Sequence, residues 1–441
     1  MPTLPLPTPF LYNTRMNDVN PFEAAPVEPP ELPPPNGVRF LGVEKDFWRL
    51  LTRGAALLLI TLGIYRFWLA TDVRRYLWNN TEIAGDTLEY IGTARELLIG
   101  FLIAIALLVP IYAVFYVGAL AQGVLGQIAS SFAFLALALL GQFAVYRARR
   151  YRLTRTVYRG IRFHQTGSAW RYAICAIFWW GMIAITLGLA YPWAQASLER
   201  FKIRNTFYGD LQGQFAGSGT RLFLRGFLFW LLVVGPLLIG LIIAIGAVDW
   251  NAVAEAFRRG SREGLRGAES AGAATAVGLV VLALTWSTLA IALLYPAFQA
   301  MVLRWWISGL RFGALTVTSH LRTGTVYGLY WRFVWISFVF GIVFSIIAGI
   351  AVGVIVGIGA LGGSSAPKEL AQTIIGIGTY VIAALGYSTI YQATVRLRLW
   401  KHGFESIEFA HVEVLDRVKA APASATAVGE GFADALNVGG I

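Results

Sequence analysis

The stretch ITLGLAYPWAQASLERFKIRNTFYG, residues 185–209, starts as the end of a membrane helix and finishes as a basic loop with strand character. Residues 60–85, ITLGIYRFWLATDVRRYLWNNTEIAG, follow the same plan. Superposing Trp68 on Trp193 aligns the TLG triplets at 61–63 and 186–188, and the Asn80-Thr81 step with Asn205-Thr206, without a gap. With a gap of one residue further on, GFL at 100–102 meets GFL at 226–228, and Pro110 meets Pro236. Agreement over such a span reads as an internal repeat. Its unit is a helix, an aromatic junction, a basic loop, a short polar strand and a Pro-bearing helix.

The junction residues suit a chain leaving a membrane in a defined direction. Gly63 and Gly188 tolerate a distorted helix end, and Pro192 favours a break. Tyr65 and Trp68 in one copy, and Tyr191 and Trp193 in the other, suit the interface because each ring has an apolar body and one wet edge. Asn80, Thr81, Asn205 and Thr206 can bond backbone groups freed where a helix ends. Pro110 and Pro236 are expected to kink corresponding helices. All of this is structural chemistry.

Outward from the junctions, composition sets the class. Hydrophobic residues make up 57% of the 441 and charged residues 14%, and mean hydropathy is +0.62; this profile excludes a large soluble enzyme. Eight apolar segments stand at 51–70, 97–118, 124–145, 172–193, 222–248, 273–297, 333–360 and 370–392. Inside a bilayer their backbone groups have no water to bind, so each is helical. The expected fold is therefore an all-α polytopic membrane protein with internal repeats and short β-strands in the membrane-surface loops. Period-two alternation in LTVTSH (315–320) and SIEFAHVEV (406–414) carries the strand reading. Several such loops could contribute to one small surface sheet or stay independent.

The chain divides into a Pro-rich disordered extension at 1–36, a first repeat at 37–118, and an additional helix with the second repeat at 119–248. Further helices with weaker repeat-like loops occupy 249–415, and 416–441 is a flexible tail. The extension lacks the basic and apolar regions of a secretory signal.

Net charge is +12, but the Lys and Arg residues crowd between apolar segments rather than forming a basic domain. That is the placement of the positive-inside rule and of contact with anionic headgroups. The expected partners are thus the bilayer and its anionic lipids; nucleic acid is the poorer reading, no protein partner is named, and homo-oligomerisation stays open. Residues 147–171 carry eight Arg and no acid, so that loop should be cytoplasmic. Eight crossings would put basic loops on opposite faces. Six crossings, with 51–70 and 172–193 re-entrant or interfacial and broken near TLG, keep every basic loop on one side. The competing arrangement makes 51–145 and 172–297 inverted three-helix repeats.

Candidates for catalysis are sparse. His164, His320, His402 and His411 lie in loops without zinc-site spacing. His402 and His411 with Glu405, Glu408 and Glu413 read as a solvated strand face rather than a metal site. Lone Cys175 reads as a small buried hydrophobe. Arg53 and Arg225 stand near segment ends where they can snorkel, and Gln127 and Gln142 suit helix-to-helix hydrogen bonds. No catalytic, cofactor-binding or metal-ligating set emerges, and no cofactor is expected. The lack of ionisable groups at mid-segment counts against a proton- or ion-coupled pump.

TLGLAYPW, followed by a basic stretch and NTFYGDLQG, resembles the YjgN family of bacterial inner-membrane proteins, a group of unknown function. TLGIYRFW with NNTEIAGDTLEYIG is similar to the same pattern, with Phe67 where Pro is usual. The resemblance covers roughly 38–415 and implies a multi-pass protein of the bacterial cytoplasmic membrane, with no functional residue to carry over. Kinked helices and polar junctions suggest a transporter, channel or lipid-handling protein. The alternative is a membrane scaffold whose basic loops bind a protein or anionic lipid, and an enzyme ranks below both.

Overall fold

The computed structural model describes residues 37–120, 124–251, 254, 258, 272, 274–361, 366–420 and 434. The extension expected at 1–36 and most of the tail expected at 416–441 lie outside the described residues.

The strands are β1 (Val38–Phe40), β2 (Thr81–Ile83), β3 (Asp86–Tyr90), β4 (Thr156–Tyr158), β5 (Ile161–Gln165), β6 (Thr206–Tyr208), β7 (Leu211–Phe215), β8 (Leu310–Phe312), β9 (Leu315–Ser319) and β10 (Ile407–Ala410). Helices leave and return between them. From β1 to β2 run α1 (Glu44–Ile60) and α2 (Arg66–Asn79); from β3 to β4, α3 (Ala94–Ala119) and α4 (Val124–Thr154). From β5 to β6 run α5 (Ala169–Ile185) and α6 (Tyr191–Arg204); from β7 to β8, α7 (Gly219–Ala247) and α8 (Ala274–Ile307). From β9 to β10 run α9 (Thr323–Leu361), α10 (Ala366–Tyr391), a π-helical turn (Gln392–Arg396) and α11 (Leu397–Glu405).

The expectation of an all-α protein with short strands in its surface loops is overturned. Its strands are short, but they form one ten-stranded antiparallel sheet in chain order. A bridge between Gly37 and Glu408 joins the two ends of that order into a ring. The reason is edge chemistry. A lone hairpin is marginal in water, and each open edge presents unpaired N–H and C=O groups. Each loop supplies one hairpin, the next hairpin covers its edge, and the chain ends supply the last pair.

Local turn geometry prepares the hairpins. The two-residue connections begin at Ala84, Arg159, Gly209 and Gly313, with φ of 46°, 48°, 56° and 59°. Positive φ at the first central residue belongs to primed turns, whose twist matches that of paired strands. Phe40, Leu88, Tyr158, Tyr208 and Leu315, from strands scattered around the ring, share one buried cluster with Leu415. The cluster also takes in Phe47, Leu51 and Leu77 from the helices, and within it Tyr158 OH donates to Ile83 O (2.8 Å) and Tyr208 OH to Tyr158 O (3.1 Å).

Three arginines latch the helices that enter strands to the helices that leave them. Arg75 donates to Gly92 O, Arg200 to Gly217 O and Arg304 to Leu321 O, each at 3.0 Å. Each accepting carbonyl lies just before an outgoing helix.

Among the described residues, six helical stretches are long and apolar enough to cross a membrane: Ala94–Gly118, Gly126–Thr154, Gly219–Ala247, Ala274–Ile307, Thr323–Val354 and Thr373–Glu405. By length and composition the chain is a multi-pass membrane protein. At most 17% of the most apolar window in any span is buried, so the spans turn their apolar surface outward rather than into a shared core. The segments at 51–70 and 172–193 are each broken near TLG, where the six-crossing reading placed an interruption. At Leu62-Gly63 φ is 51° and 91°, and at Leu187-Gly188 it is 51° and 94°. Gly63 N–H reaches back to Leu58 O (2.8 Å) and Gly188 N–H to Ile183 O (2.7 Å), a left-handed helix end. Because all ten strands share one sheet, every described loop that carries them lies on one side of the spans.

Candidate functional site

The two junctions use the same bonds. Thr61 Oγ1 donates to Leu57 O (2.7 Å) and accepts from Tyr65 N–H (3.0 Å); Thr186 Oγ1 does the same with Met182 O (2.7 Å) and Ala190 N–H (3.0 Å). Each threonine thereby spans the break from the old helix to the new one. Gly63 and Gly188 take the left-handed position that follows. Pro192 stands in the first turn of α6, where a missing N–H costs little, so the bend precedes it. Tyr65 stacks on Trp68 at 6.2 Å, Tyr191 packs on Phe298 at 6.0 Å and Trp193 on Phe223 at 4.8 Å.

At the far ends of α2 and α6, Asn80 Nδ2 and Asn205 Nδ2 each donate to the carbonyl four residues back, at 2.7 Å. Thr81 Oγ1 and Thr206 Oγ1 likewise bond Leu77 O (2.7 Å) and Lys202 O (2.8 Å). These bonds satisfy carbonyls that a helix end leaves without a partner. Pro110 and Pro236 lie within α3 and α7, both of which continue through them.

The structure brings together residues that sequence reasoning passed over. Arg74 on α2 is 5% exposed. Its guanidinium grips the Asp434 carboxylate with both terminal nitrogens, Nη2 to Oδ1 at 3.1 Å, and donates to Tyr90 OH at 3.2 Å. Arg152 on α4 approaches the same carboxylate, Nε to Oδ1 at 3.6 Å, and the Asp434 side chain is 1% exposed. Burial disfavours the Arg74 charge, but Asp434 and Tyr90 outweigh it and raise its pKa. Arg396, in the π-helical turn, lies within electrostatic reach of Arg74 and Arg152. Among the described residues no carboxylate stands within ion-pair distance of Arg396.

These groups border a chamber of about 460 Å³, lined by Arg66, Arg74, Gln392, Arg396 and Asp434 and by apolar walls such as Leu58 and Phe67. Arg74 and Arg152 share the Asp434 carboxylate, and Arg396 lines the same chamber as Arg74. π-turns often mark functional sites because the extra residue re-aims side chains, and Gln392 and Arg396 both line the chamber. Arg155 holds Glu96 with two bonds of 3.0 Å, and Tyr151 OH adds a third at 2.8 Å, fixing the base of α3 to the end of α4.

A second knot lies on α6. Glu199 accepts from Lys202 and from Trp306 Nε1 (2.9 Å). Burial pushes its carboxyl toward the neutral form, but Lys202 and Arg149 outweigh that and hold its pKa below the usual range. Beside the α5–α6 break is an apolar groove of about 380 Å³, lined by Tyr191, Pro192, Trp230, Val234, Tyr295 and Phe298. Trp230 Nε1 donates to the turned-out Leu187 carbonyl at 2.7 Å.

Among the described residues no group of three His, Cys, Asp or Glu gathers at metal spacing. His402 lies 3.7 Å from Glu405, and His320 3.3 Å from Glu408 on an exposed face. Cys175 is half-buried and free. The basic character of α2 and α4 was legible, but their pairing with Asp434 had no signal in spacing or periodicity.

A family model described as "Bacterial protein of unknown function (DUF898)" matches residues 35–435. No curated protein and no solved structure matches the chain.

Proposed function

The chain belongs to the DUF898 family of bacterial proteins of unknown function, to which YjgN also belongs; for this member we propose, from the chemistry of its chamber, that it handles anionic lipids in the bacterial cytoplasmic membrane. The observation that carries this reading is the chamber in which Arg74 and Arg396 stand beside the apolar side chains Leu58 and Phe67. A phosphate-bearing headgroup matches guanidinium forks, and the apolar wall suits the chain next to it. The groove at the α5–α6 break supports acyl contact, since its lining is aromatic and aliphatic.

A conduit reading has less support. Tyr158, Tyr208 and Leu415 pack together in one buried cluster rather than lining an open channel, and the spans turn outward. A scaffold whose basic loops bind a protein partner stays the alternative; among the described residues the bridged ring leaves no long strand edge by which it could add a partner's strand. The Arg-rich loop at 147–171 supports a cytoplasmic position for the sheet. Recurrence of helix, hairpin and helix supports a repeated module as the source of the ring.

The test is native mass spectrometry of the purified protein released from nanodiscs of mixed phosphatidylglycerol and phosphatidylcholine. Retained phosphatidylglycerol is expected, falling about tenfold in Arg396→Gln because a charge-assisted contact to phosphate is removed. Equal retention of both lipids, unaffected by Arg396→Gln, would sink the reading.

A further inference from the structure

We propose that Asp434 is a built-in competitor for the anion site, so that a phosphate-bearing ligand takes up Arg74 and Arg152 only by displacing the chain's own carboxylate. This rests on the lipid-handling reading and adds regulation to it.

Asp434 holds its place as a phosphate would. It engages Arg74 through two parallel bonds, the geometry by which a guanidinium also holds two oxygens of a phosphate. Its partner lies 360 residues away in the chain, so the contact is long-range. The family match runs to residue 435 and thus takes in Asp434. Among the described residues, more than one arginine turns to this single carboxylate. Arg74 and Arg152 share one carboxylate, while Arg396 feels both of them and has no described carboxylate of its own.

A phosphate group carries more acceptor oxygens than a carboxylate and can carry more charge. It can therefore engage Arg74 and Arg152 while answering Arg396, which Asp434 alone does not. Conversely, a tethered carboxylate needs no association from bulk, so it holds the site at low ligand concentration. Occupancy then switches on ligand level, with Asp434 setting the threshold.

The shared chemistry is phosphate, from a lipid headgroup or from solution, and the test separates the two. Full-length wild type, Asp434→Asn and Asp434→Glu are titrated in detergent with short-chain phosphatidylglycerol and, separately, with inorganic phosphate. Asp434→Asn should bind at least one probe about tenfold more tightly than wild type, and Asp434→Glu should return toward wild type. A gain for the lipid alone assigns the site to headgroups; a gain for both assigns it to phosphate in general. Equal affinity in wild type and Asp434→Asn overturns the competitor while leaving lipid binding in place. No binding of either probe to any variant overturns both. Should Asp434→Asn fold poorly because Arg74 is left unpaired, inorganic phosphate should raise its unfolding temperature more than that of wild type, and an equal response also overturns the proposal.

Discussion

Arg74 and Glu199 occupy matching positions when Trp68 is laid on Trp193, yet they carry opposite charge. Arg74 reaches across the molecule to Asp434, whereas Glu199 closes on Lys202 of its own helix and on Trp306. One junction thus presents cations to a chamber and the other seals its charge. The Glu199 pKa is depressed in the folded protein, so its stabilisation is fully present above the ordinary glutamate pKa of about 4.3 and is lost as pH falls through the folded value. Glu199→Gln should cost about 3 kcal/mol at pH 7, because Lys202 is left buried without its partner. The gap between variant and wild type should narrow below about pH 4. Thermal unfolding in detergent across that range checks it; a constant gap would mean that the carboxylate charge is not what stabilises the fold.

Between residues and the whole fold, the deciding element is the broken helix pair. A continuous helix over 44–79 would carry α2 onward into the membrane and pull its strand out of the sheet. The Leu-Gly step reverses the chain instead, and the preceding threonine bonds both sides of the break. A methyl group added at Gly63 would meet no atom within 4 Å, but the φ there is 91°. Gly63→Ala should therefore destabilise by about 1 kcal/mol through backbone strain alone. Gly181→Ala, in the open and helical part of α5, should be neutral or stabilising. Equal unfolding temperatures for the two variants would remove strain from the account. The later helices also correct the sequence register. Thr93 and Ser218 cap α3 and α7 at corresponding positions, so the one-residue gap that matches Pro110 to Pro236 falls inside those helices and leaves the prolines one residue out of step.

Across the whole molecule, five returning helical excursions stand on one strand ring. Three are long enough to cross and come back; those through α1–α2 and α5–α6 turn at their TLG steps. In a Cys175→Ala background, Thr87→Cys, Arg162→Cys and Gln214→Cys should all react with an impermeant maleimide from one face, and Leu120→Cys, beyond α3, from the other. Any of the first three reacting from the same face as Leu120→Cys would break the ring topology.

Residue order alone carried the apolar spans, the clustering of basic residues between them and the strand character of the loops, and it offered breaks at 61–63 and 186–188 as one of two arrangements. These are local properties: apolar length, glycine conformation, charge placement and period-two alternation act within a few residues of one another. Joining the short strands into one ring took the assembled molecule, since β3 and β4, or β7 and β8, meet only after a pair of long helices has gone out and returned. The Arg74–Asp434 pair arose at the same level. Contacts between such distant residues depend on how elements that are marginal alone are brought together, and neither partner's neighbours encode the other's address.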